Sequence, residues 1–297
     1  MPSKIEWTDE SWNPVTGCTP ISEGCAHCYA KRAAEGPRLR GKFGYPADEP
    51  FRVTVHPDKI EEPRHWRKPR KVFICSMGDL FHDQVPQEVI TAVLSVIWQH
   101  PEHIFQVLTK RPQRMNILFS LLTRVKSVPW PWPIPNLWLG VTCENQARAD
   151  ERIPLLLQTP AAVRFVSVEP MLGPLVFERW LDPIGQEACM NHGADERHYL
   201  TPEEVSAISF TKQGDARCME CGDLCGLTGY DDGIDWVICG GETGPGARPM
   251  KLEWARSLRD QCKAAGVPYF FKKVTGGRPI PDDLMIREFP KGVEDHA

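Results

Sequence analysis

Short, almost continuously apolar runs recur in the first half of the chain about 30 residues apart, the length of a βα unit, and restrict the fold more than any other feature. Near-continuous apolar runs are typical of parallel strands buried on both faces. The runs that we interpret as strands are 72–76, 104–109, 137–142, 163–168, 236–240 and 268–272. Segments with helical apolar periodicity alternate with them, at 87–99, 113–124, 145–158 and 252–265. This alternation predicts an α/β fold with a parallel sheet, and Pro154 predicts a break or kink in the third helix.

Composition excludes several classes of protein. The chain has 297 residues, of which 41% are hydrophobic and 25% charged, so a sizeable core can form and global disorder is excluded. No apolar run approaches the roughly 18 residues of a membrane helix, and the first residues lack the apolar stretch of a signal peptide. We therefore expect a cytoplasmic protein. The net charge of −4 excludes a uniformly basic surface but allows local basic patches.

Three cysteines on one loop form the sharpest local signal. Cys18, Cys25 and Cys28 fall within 11 residues. Because disulfides are rare in the cytosol, clustered cysteines indicate metal or redox chemistry. Three thiolates can hold three irons of a [4Fe–4S] cluster and leave the fourth iron open. The alternative is a structural zinc ion with a fourth ligand such as His27 or a remote cysteine.

The segment SWNPVTGC-x6-C-x2-CY, which carries these cysteines, resembles the phage Gp37/Gp68-like proteins. These form a DUF5131-type family and a divergent branch of the radical SAM superfamily with a three-cysteine motif. The resemblance runs through most of the chain and includes GGETGPGARPM at 240–250 and SLRDQCKAAGVPYFFK at 257–272. The common superfamily spacing is C-x3-C-x2-C, whereas the first gap here has six residues. The resemblance implies a partial (β/α) barrel of the radical SAM type.

The resemblance also implies a set of cofactors. Cys18, Cys25 and Cys28 would ligate a [4Fe–4S] cluster whose open iron chelates S-adenosylmethionine. Reductive cleavage of S-adenosylmethionine, with an electron from a reductant such as flavodoxin or ferredoxin, would give a 5′-deoxyadenosyl radical that abstracts hydrogen from the substrate. His27 matches the position where the superfamily usually has an aromatic residue near the adenine. A hydrogen bond from His27 to cluster sulfur is the alternative.

Polar residues directly follow the apolar runs, and ligands bind at the carboxyl ends of parallel strands. Ser76, Gly78 and Asp79 form a turn that usually contacts the amino group of S-adenosylmethionine in the superfamily. Asp79 capping the next helix is the alternative. Lys110, beside Arg111, is a candidate for binding the cofactor carboxylate or a substrate phosphate, and a solvated helix start is its alternative.

Further candidates follow the later strands. Thr142 ends the run 137–142 and Glu144 follows it, and Glu169 comes directly after the run 163–168. Carboxylates here are candidates for binding the ribose of S-adenosylmethionine or for acting on the substrate. Glu242 lies in a glycine-rich turn that we expect to aim it into the cleft, although the turn has a purely structural interpretation too. We therefore predict Lys110, Glu169 and Glu242 as catalytic residues.

A second group of metal-ligand residues lies in a polar region that interrupts the alternation of strands and helices. It consists of a C-x2-H and a C-x2-C pair, formed by Cys189, His192, Cys218 and Cys221. Such pairs suit a tetrahedral zinc ion. An auxiliary iron–sulfur cluster and ordinary surface cysteines are the alternatives. We interpret 178–233 as a metal-binding insertion between the two parts of the barrel, 1–177 and 234–297.

The remaining features concern the core and the substrate. Four cysteines within apolar patterns are predicted core residues: Cys75, Cys143, Cys239 and Cys262. Two basic stretches predict phosphate contacts, with a tryptophan that could stack on a base, and the candidates are Arg38, Arg40, Lys42, Trp66, Arg67, Lys68 and Arg70. The alternatives are solvated loop charges and a tryptophan that packs against arginine stems.

The predicted function is therefore a radical SAM enzyme that acts on a nucleic acid or nucleotide, as in phage-type DNA base hypermodification or repair. A peptide or small-metabolite substrate is the enzymatic alternative. A non-catalytic, zinc-dependent nucleic-acid-binding module is the hypothesis from another class.

Overall fold

A computed structural model describes residues 5–125, 128–181, 209–210, 216–217 and 233–290. Its main sheet has seven strands, all parallel to their neighbours, and curls into a half-barrel. The strands, in spatial order, are β1 (Glu10–Trp12), β4 (Lys71–Ile74), β5 (Ile104–Thr109), β6 (Leu137–Thr142), β7 (Val163–Val168), β10 (Trp236–Gly240) and β11 (Tyr269–Lys273). The predicted α/β class with a parallel sheet is confirmed.

Two small antiparallel pairs accompany this sheet. They are β2 (Val15–Thr16) with β3 (Thr54–Val55), and β8 (Ser209–Phe210) with β9 (Ala216–Arg217). The helices are α1 (Tyr29–Glu35), α2 (Pro57–Ile60), α3 (Gln87–Gln99), α4 (Pro112–Leu122), α5 (Gln146–Leu157), α6 (Glu178–Leu181) and α7 (Leu252–Ala264). Short 3-10 turns occur at Glu23–Cys25, Glu62–His65, Thr275–Gly277 and Asp282–Leu284.

The break predicted at Pro154 of α5 does not occur, whereas the predicted range of the helix, 145–158, agrees with the observed one within one residue at each end. Asn145 caps the helix as expected, because its side chain accepts a hydrogen bond of 3.1 Å from the backbone N–H of Arg148. The helix does not stop at Pro154 but continues to Leu157. Residues on both sides of the proline, Ile153 and Leu156, are fully buried against the sheet. Their packing offsets the backbone hydrogen bond that a proline removes.

Alternate residues of each strand face two different apolar layers. One set packs with the helices into the larger core, for example Val107 of β5 and Val166 of β7. The other set forms an aromatic layer on the concave face of the half-barrel, made of Trp7, Phe73, Trp138, Phe165, Trp236 and Phe270. Trp7 and Phe73 meet edge to face with ring centroids 4.7 Å apart. This layer lies beneath the polar residues at the carboxyl ends of the strands.

A glycine contact joins the cysteine loop to the sheet. Gly17 has a φ of +83°, and a Cβ atom there would lie 2.1 Å from the carbonyl oxygen of Arg52. Gly17 forms a parallel bridge with Gly78, just after β4. The loop that begins at Cys18 therefore starts directly above the carboxyl end of the sheet.

Several sequence-based expectations concern parts of the chain away from this edge. Cys75, Cys143, Cys239 and Cys262 are buried, as predicted for core residues. The second metal-ligand group, Cys189, His192, Cys218 and Cys221, lies outside the described residues, so the insertion at 178–233 and the barrel segments 1–177 and 234–297 stay predictions. Among the described residues, no helix is both long and apolar enough to cross a membrane.

Candidate active site

A cavity of about 470 Å³ opens at the carboxyl edge of the sheet. Its floor includes Trp7, Phe73 and Leu108 from the concave aromatic layer and its neighbours. Its walls include most of the predicted site residues: Cys18, Cys25, His27, Cys28, Ser76, Gly78, Asp79, Lys110, Thr142, Glu169 and Glu242. These residues span more than 200 positions of sequence, and the parallel sheet brings them together because its strands end at one edge.

The three loop cysteines reach this cavity as free thiols. Cys18, Cys25 and Cys28 form no disulfide, and each is partly exposed. Cys25 ends the 3-10 turn, and Cys28 directly precedes α1. Three unpaired sulfur ligands on one loop therefore face one cavity.

Cys18 lies against the guanidinium of Arg111. Arg111 Nη1 lies 3.2 Å from Cys18 Sγ and donates to it, while Nη2 donates to the carbonyl oxygen of Thr19 at 3.0 Å. Burial and the carboxylate of Asp79 raise the pKa of the Cys18 thiol, and Arg111 opposes that rise. Arg111 thus favours the thiolate form of Cys18, which is the form that binds a metal.

The Cys25 thiol has a different environment. Burial raises its pKa, but backbone hydrogen bonds from Ile21 and Ser22 and the charge of Lys110 outweigh burial, so the pKa is lowered. The ammonium of Lys110 makes no hydrogen bond or ion pair with the described residues. Lys110 therefore remains a free cation beside the cysteine loop.

Asp79 is engaged by the protein itself. Its carboxylate accepts hydrogen bonds from Thr109 Oγ1 at 2.8 Å and from Arg111 Nη1 at 3.2 Å. It also accepts from the backbone N–H of Phe81 at 3.0 Å, but α3 begins only at Gln87, so Asp79 does not cap that helix. The structure gives Asp79 the role of holding Arg111 against Cys18.

Ser76 and Gly78 serve the packing of the turn. Ser76 Oγ donates to Asn13 Oδ1 at 3.3 Å, and its carbonyl oxygen accepts from the hydroxyl of Tyr29. A Cβ at Gly78 would lie 3.1 Å from the carbonyl oxygens of Val15 and Gly17. The space that glycine leaves here is filled by the strand that leads into the cysteine loop.

Glu144 lies below the cavity wall and is completely buried. Its Oε2 accepts from Arg152 Nη1 at 3.0 Å, and Oε1 accepts from the backbone N–H of Gly24 at 3.2 Å. Burial raises its pKa, but the charges of Arg152 and Lys110 together with a hydrogen bond from Ser22 outweigh burial, so the pKa is lowered. Arg152 also donates to the carbonyl oxygen of Thr142 at 2.7 Å. Glu144 therefore fastens the cysteine loop to β6 and α5.

Glu169 is shared by two lysines of the last strand. Lys272 Nζ lies 2.9 Å and Lys273 Nζ 2.8 Å from its carboxylate oxygens. Burial raises the pKa of Glu169, but the two ammonium groups outweigh burial and lower it. Sequence reasoning missed both lysines, although Lys272 ends an apolar run, which is the signal that identified the other strand ends.

Glu242 holds the other side of the cysteine loop. Its Oε2 lies 2.9 Å from His27 Nδ1 and accepts from Arg248 Nε at 2.9 Å. Despite burial, which raises it, the pKa of Glu242 is lowered to about 2 by hydrogen bonds from Arg248 and His27. Glu242, which we predicted to be catalytic, therefore accepts hydrogen bonds from Arg248 and positions His27.

The two basic stretches occupy different parts of the chain relative to the sheet: one follows α1, which begins directly after Cys28, and the other leads into β4. Arg38, Arg40 and Lys42 are exposed and follow α1, near the cysteine loop. The stretch with Trp66, Arg67, Lys68 and Arg70 precedes β4 and therefore lies at the amino edge. The guanidinium of Arg70 lies 5.4 Å from the Trp66 ring centroid, and Trp66 packs against the core, as the stem-packing alternative expects.

Together, the fold and this site define a class: an α/β protein with a parallel half-barrel and a three-cysteine cavity at its carboxyl edge. A family model described as "Protein of unknown function (DUF5131)" matches residues 2–284. The chain belongs to this family, in agreement with the DUF5131-type resemblance of its sequence. Neither the comparison with curated proteins nor that with solved structures found a match.

Proposed function

We propose that this protein is a radical S-adenosylmethionine enzyme and that Cys18, Cys25 and Cys28 hold its [4Fe–4S] cluster. One observation supports the proposal most strongly: three free thiols of one loop line a cavity at the carboxyl edge of a parallel half-barrel. Sulfur-only ligands suit iron–sulfur clusters, and a three-cysteine set leaves one iron for a second ligand.

The spacing of the thiols favours a cluster over a single zinc ion. Zinc–sulfur bonds of about 2.3 Å place the ligands of one tetrahedral ion roughly 3.8 Å apart. Among the described residues, the group of ligand atoms within 4.8 Å of one another is elsewhere, at His100, Glu102 and His103. At least one pair of the three loop thiols is therefore more than 4.8 Å apart, a separation that a group of several metal atoms can span.

When bound, the reduced cluster would supply the electron that cleaves S-adenosylmethionine to methionine, and the 5′-deoxyadenosyl group would supply the radical for hydrogen abstraction from the substrate. The protein's own residues would bind and position these groups. Arg111 donates to the Cys18 sulfur, and Glu144 and Glu242 fix the loop from two sides. Lys110 offers its free ammonium to the cofactor carboxylate, and the aromatic floor excludes water.

The cavity also favours an anionic substrate. Glu169 neutralises only one of the two charges of Lys272 and Lys273, and Lys110 adds a further positive charge. Arg38, Arg40 and Lys42 are exposed on the segment that follows α1 and add further positive charge to this part of the chain. A nucleic acid or nucleotide is the substrate class that these charges suit best, and a flavodoxin or ferredoxin is the proposed reductant.

Anaerobic purification and reconstitution test the proposal. The wild-type protein is expected to be brown, to hold about four irons and four sulfides per chain, and to convert S-adenosylmethionine to 5′-deoxyadenosine with a chemical reductant. Replacing any one of Cys18, Cys25 or Cys28 by alanine is expected to abolish both properties.

Cys262→Ala is the matched control, because Cys262 is buried on α7 and does not line the cavity. It should keep the iron content and the 5′-deoxyadenosine yield of the wild type. Normal 5′-deoxyadenosine formation in all three loop variants would refute the proposal. A colourless protein with zinc bound at the loop would favour the non-catalytic, nucleic-acid-binding alternative.

A further inference from the structure

A second group of metal-ligand side chains lies at the amino edge of the sheet, in the turn between α3 and β5. His100, Glu102 and His103 each bring one ligand atom within 4.8 Å of the other two. The six-residue strand β5 separates this turn from the cavity, which corresponds to about 17 Å. The group is therefore distinct from the cysteine site.

Three of the four imidazole nitrogens of this group are buried without hydrogen-bond partners among the described residues, whereas the fourth, His100 Nδ1, is hydrogen-bonded to Glu102 Oε1. His103 is fully buried, and neither Nδ1 nor Nε2 has a partner among the described residues; His100 Nε2 lacks one too. A buried polar atom without a partner lowers the stability of the fold. An ion bound at His103 Nε2 would give a partner to one of these three nitrogens, and this nitrogen lies on a side chain that is fully buried.

The distances within the group suit one metal ion. His100 Nδ1 lies 3.2 Å and His103 Nε2 3.7 Å from Glu102 Oε1. Ligands at about 2.05 Å from a tetrahedral zinc ion are roughly 3.3 Å from one another. The 3.7 Å separation is too long for a hydrogen bond, and small shifts of the side chains would place both nitrogens and the carboxylate around one ion.

The backbone of the turn is held in place independently of any ion. The side-chain amide of Asn136 donates to the carbonyl oxygens of Ile97, His100 and His103 at 2.9, 2.9 and 3.0 Å. The two imidazole rings are almost parallel, with an angle of 22° and centroids 6.1 Å apart. Such preorganisation reduces the entropy that the protein loses when it binds a ligand.

The nearest cation does not oppose binding strongly. Arg70 lies close to Trp66, which contacts the His103 ring at 5.5 Å. Its guanidinium is paired with Glu10 at 2.9 Å, so its charge is largely neutralised. The side chain of Glu102 is 43% exposed, which gives an ion a path from solvent.

We propose that His100, Glu102 and His103 form a binding site for a divalent transition-metal ion. Two imidazoles and one carboxylate are the ligands that zinc takes in sites with three protein ligands, where water completes the coordination. The ion would join the end of α3 to the start of β5 and would stabilise the fold by binding the native state alone.

The test uses the full chain with its iron–sulfur site reconstituted and Zn²⁺ as the probe. Zinc affinity is measured by competition with a chromophoric chelator, and the midpoint of thermal unfolding is measured with and without zinc. His103 is fully buried, so replacing it risks unfolding the protein. The informative variants are therefore His100→Ala and Glu102→Gln.

The control is Glu88→Gln, which removes an exposed carboxylate from α3 and leaves the turn intact. Wild type and Glu88→Gln should bind one more zinc per chain than His100→Ala. Glu102→Gln should bind that zinc roughly tenfold or more weakly. At a fixed zinc concentration, zinc should raise the unfolding temperature of wild type and Glu88→Gln most, that of Glu102→Gln less, and that of His100→Ala least. Equal zinc content, zinc affinity and thermal shift in all four proteins would overturn the proposal. If His100→Ala does not fold, the zinc affinity of Glu102→Gln relative to the wild type is the test.

Discussion

At the scale of single residues, the carboxylates around the cavity act as anchors. Glu144, Glu169 and Glu242 each bond to cationic side chains and keep a lowered pKa despite burial. A charged group in a partly dry site stays ionised only when such partners stabilise its charge. Glu242 joins His27 to a turn 215 positions further along the chain. Its charge therefore contributes to stability as well as to the shape of the site.

Glu242→Gln is expected to lower the free energy of unfolding at pH 7 by about 1–3 kcal/mol, because Arg248 and His27 lose a charged acceptor. The pKa of Glu242 is held at about 2, below its ordinary value of 4.5. A lowered pKa stabilises the fold fully above pH 4.5, and this contribution is lost as the pH falls towards 2. The difference between wild type and variant should therefore shrink between pH 5 and pH 3.

Urea unfolding at a series of pH values measures this difference. Glu88→Gln, at an exposed position of α3, should unfold like the wild type throughout. A difference that stays constant or grows on acidification would contradict the assignment of the lowered pKa to Glu242.

The residues of the site could be predicted from sequence, but their partners could not. Parallel strands end at one edge, so the polar residues after each apolar run had to meet there. Whether Asp79 is free or bound to Arg111 depends on side-chain geometry that no local pattern encodes. Arg152 is a partial exception, because it falls on the buried face of α5 between Ala149 and Ile153, where an unpaired arginine would be very unfavourable.

At the scale of elements, the cysteine loop is fixed by contacts with α5 and β6. Glu144 accepts from Gly24 of the loop and from Arg152 of the helix, and both members of this ion pair are almost completely buried. A buried pair becomes costly when one partner is removed, since the other keeps an uncompensated charge. The loop therefore depends on an ion pair that lies outside it.

Glu144→Gln is expected to destabilise the protein by about 3–5 kcal/mol, because Arg152 remains buried without its counter-charge. Hydrogen exchange at 18–28 should increase more than exchange in β5, because Gly24 loses a charged acceptor. Chemical denaturation and hydrogen–deuterium exchange with mass spectrometry measure the two effects.

The double variant Glu144→Met/Arg152→Met separates them. Global stability should recover in part, because no charge is left unpaired. Exchange of the loop should stay fast, because the acceptor for Gly24 is still absent. Full protection of the loop in either variant would show that Glu144 does not anchor it.

Secondary structure was predictable where periodicity extended over five or more residues. The observed bounds of α3, β5, β6, β7 and β10 agree with the predicted ones. The strand β1 was not predicted, because three residues are too few for a periodic pattern. Its place at the edge of the sheet is set by pairing with β4, which is a non-local contact.

At the scale of the whole molecule, the two edges of the sheet carry two different candidate sites. The carboxyl edge carries the cysteine cavity, and the basic residues 38–42 lie on the segment that follows the cysteine loop and α1. The amino edge carries the basic residues 64–71 and the turn with His100 and His103. A polyanion that reaches into the cavity should therefore contact the first basic stretch rather than the second.

Matched double variants test this separation. Arg38→Ala/Lys42→Ala should weaken polynucleotide binding and reduce the dependence of log K on log salt by roughly 1.4–1.8, at about 0.7–0.9 per phosphate contact. Arg67→Ala/Lys68→Ala removes the same charge from exposed positions at the other edge and should bind almost as the wild type does. Binding isotherms at several salt concentrations measure both. Equal losses in the two variants would place the substrate elsewhere.

The contact between His27 and Glu242 sets an order of events during synthesis on the ribosome. The cysteine loop leaves the ribosome early, but the residues that position it follow 215 positions later. At about 5–20 residues per second, this gap lasts roughly 10–40 s. During that time the three cysteine thiols of the nascent chain are not enclosed by the cavity walls. If the loop holds the proposed cluster, its binding site is complete only after residue 242 has been synthesised, and until then the thiols need protection from oxidation.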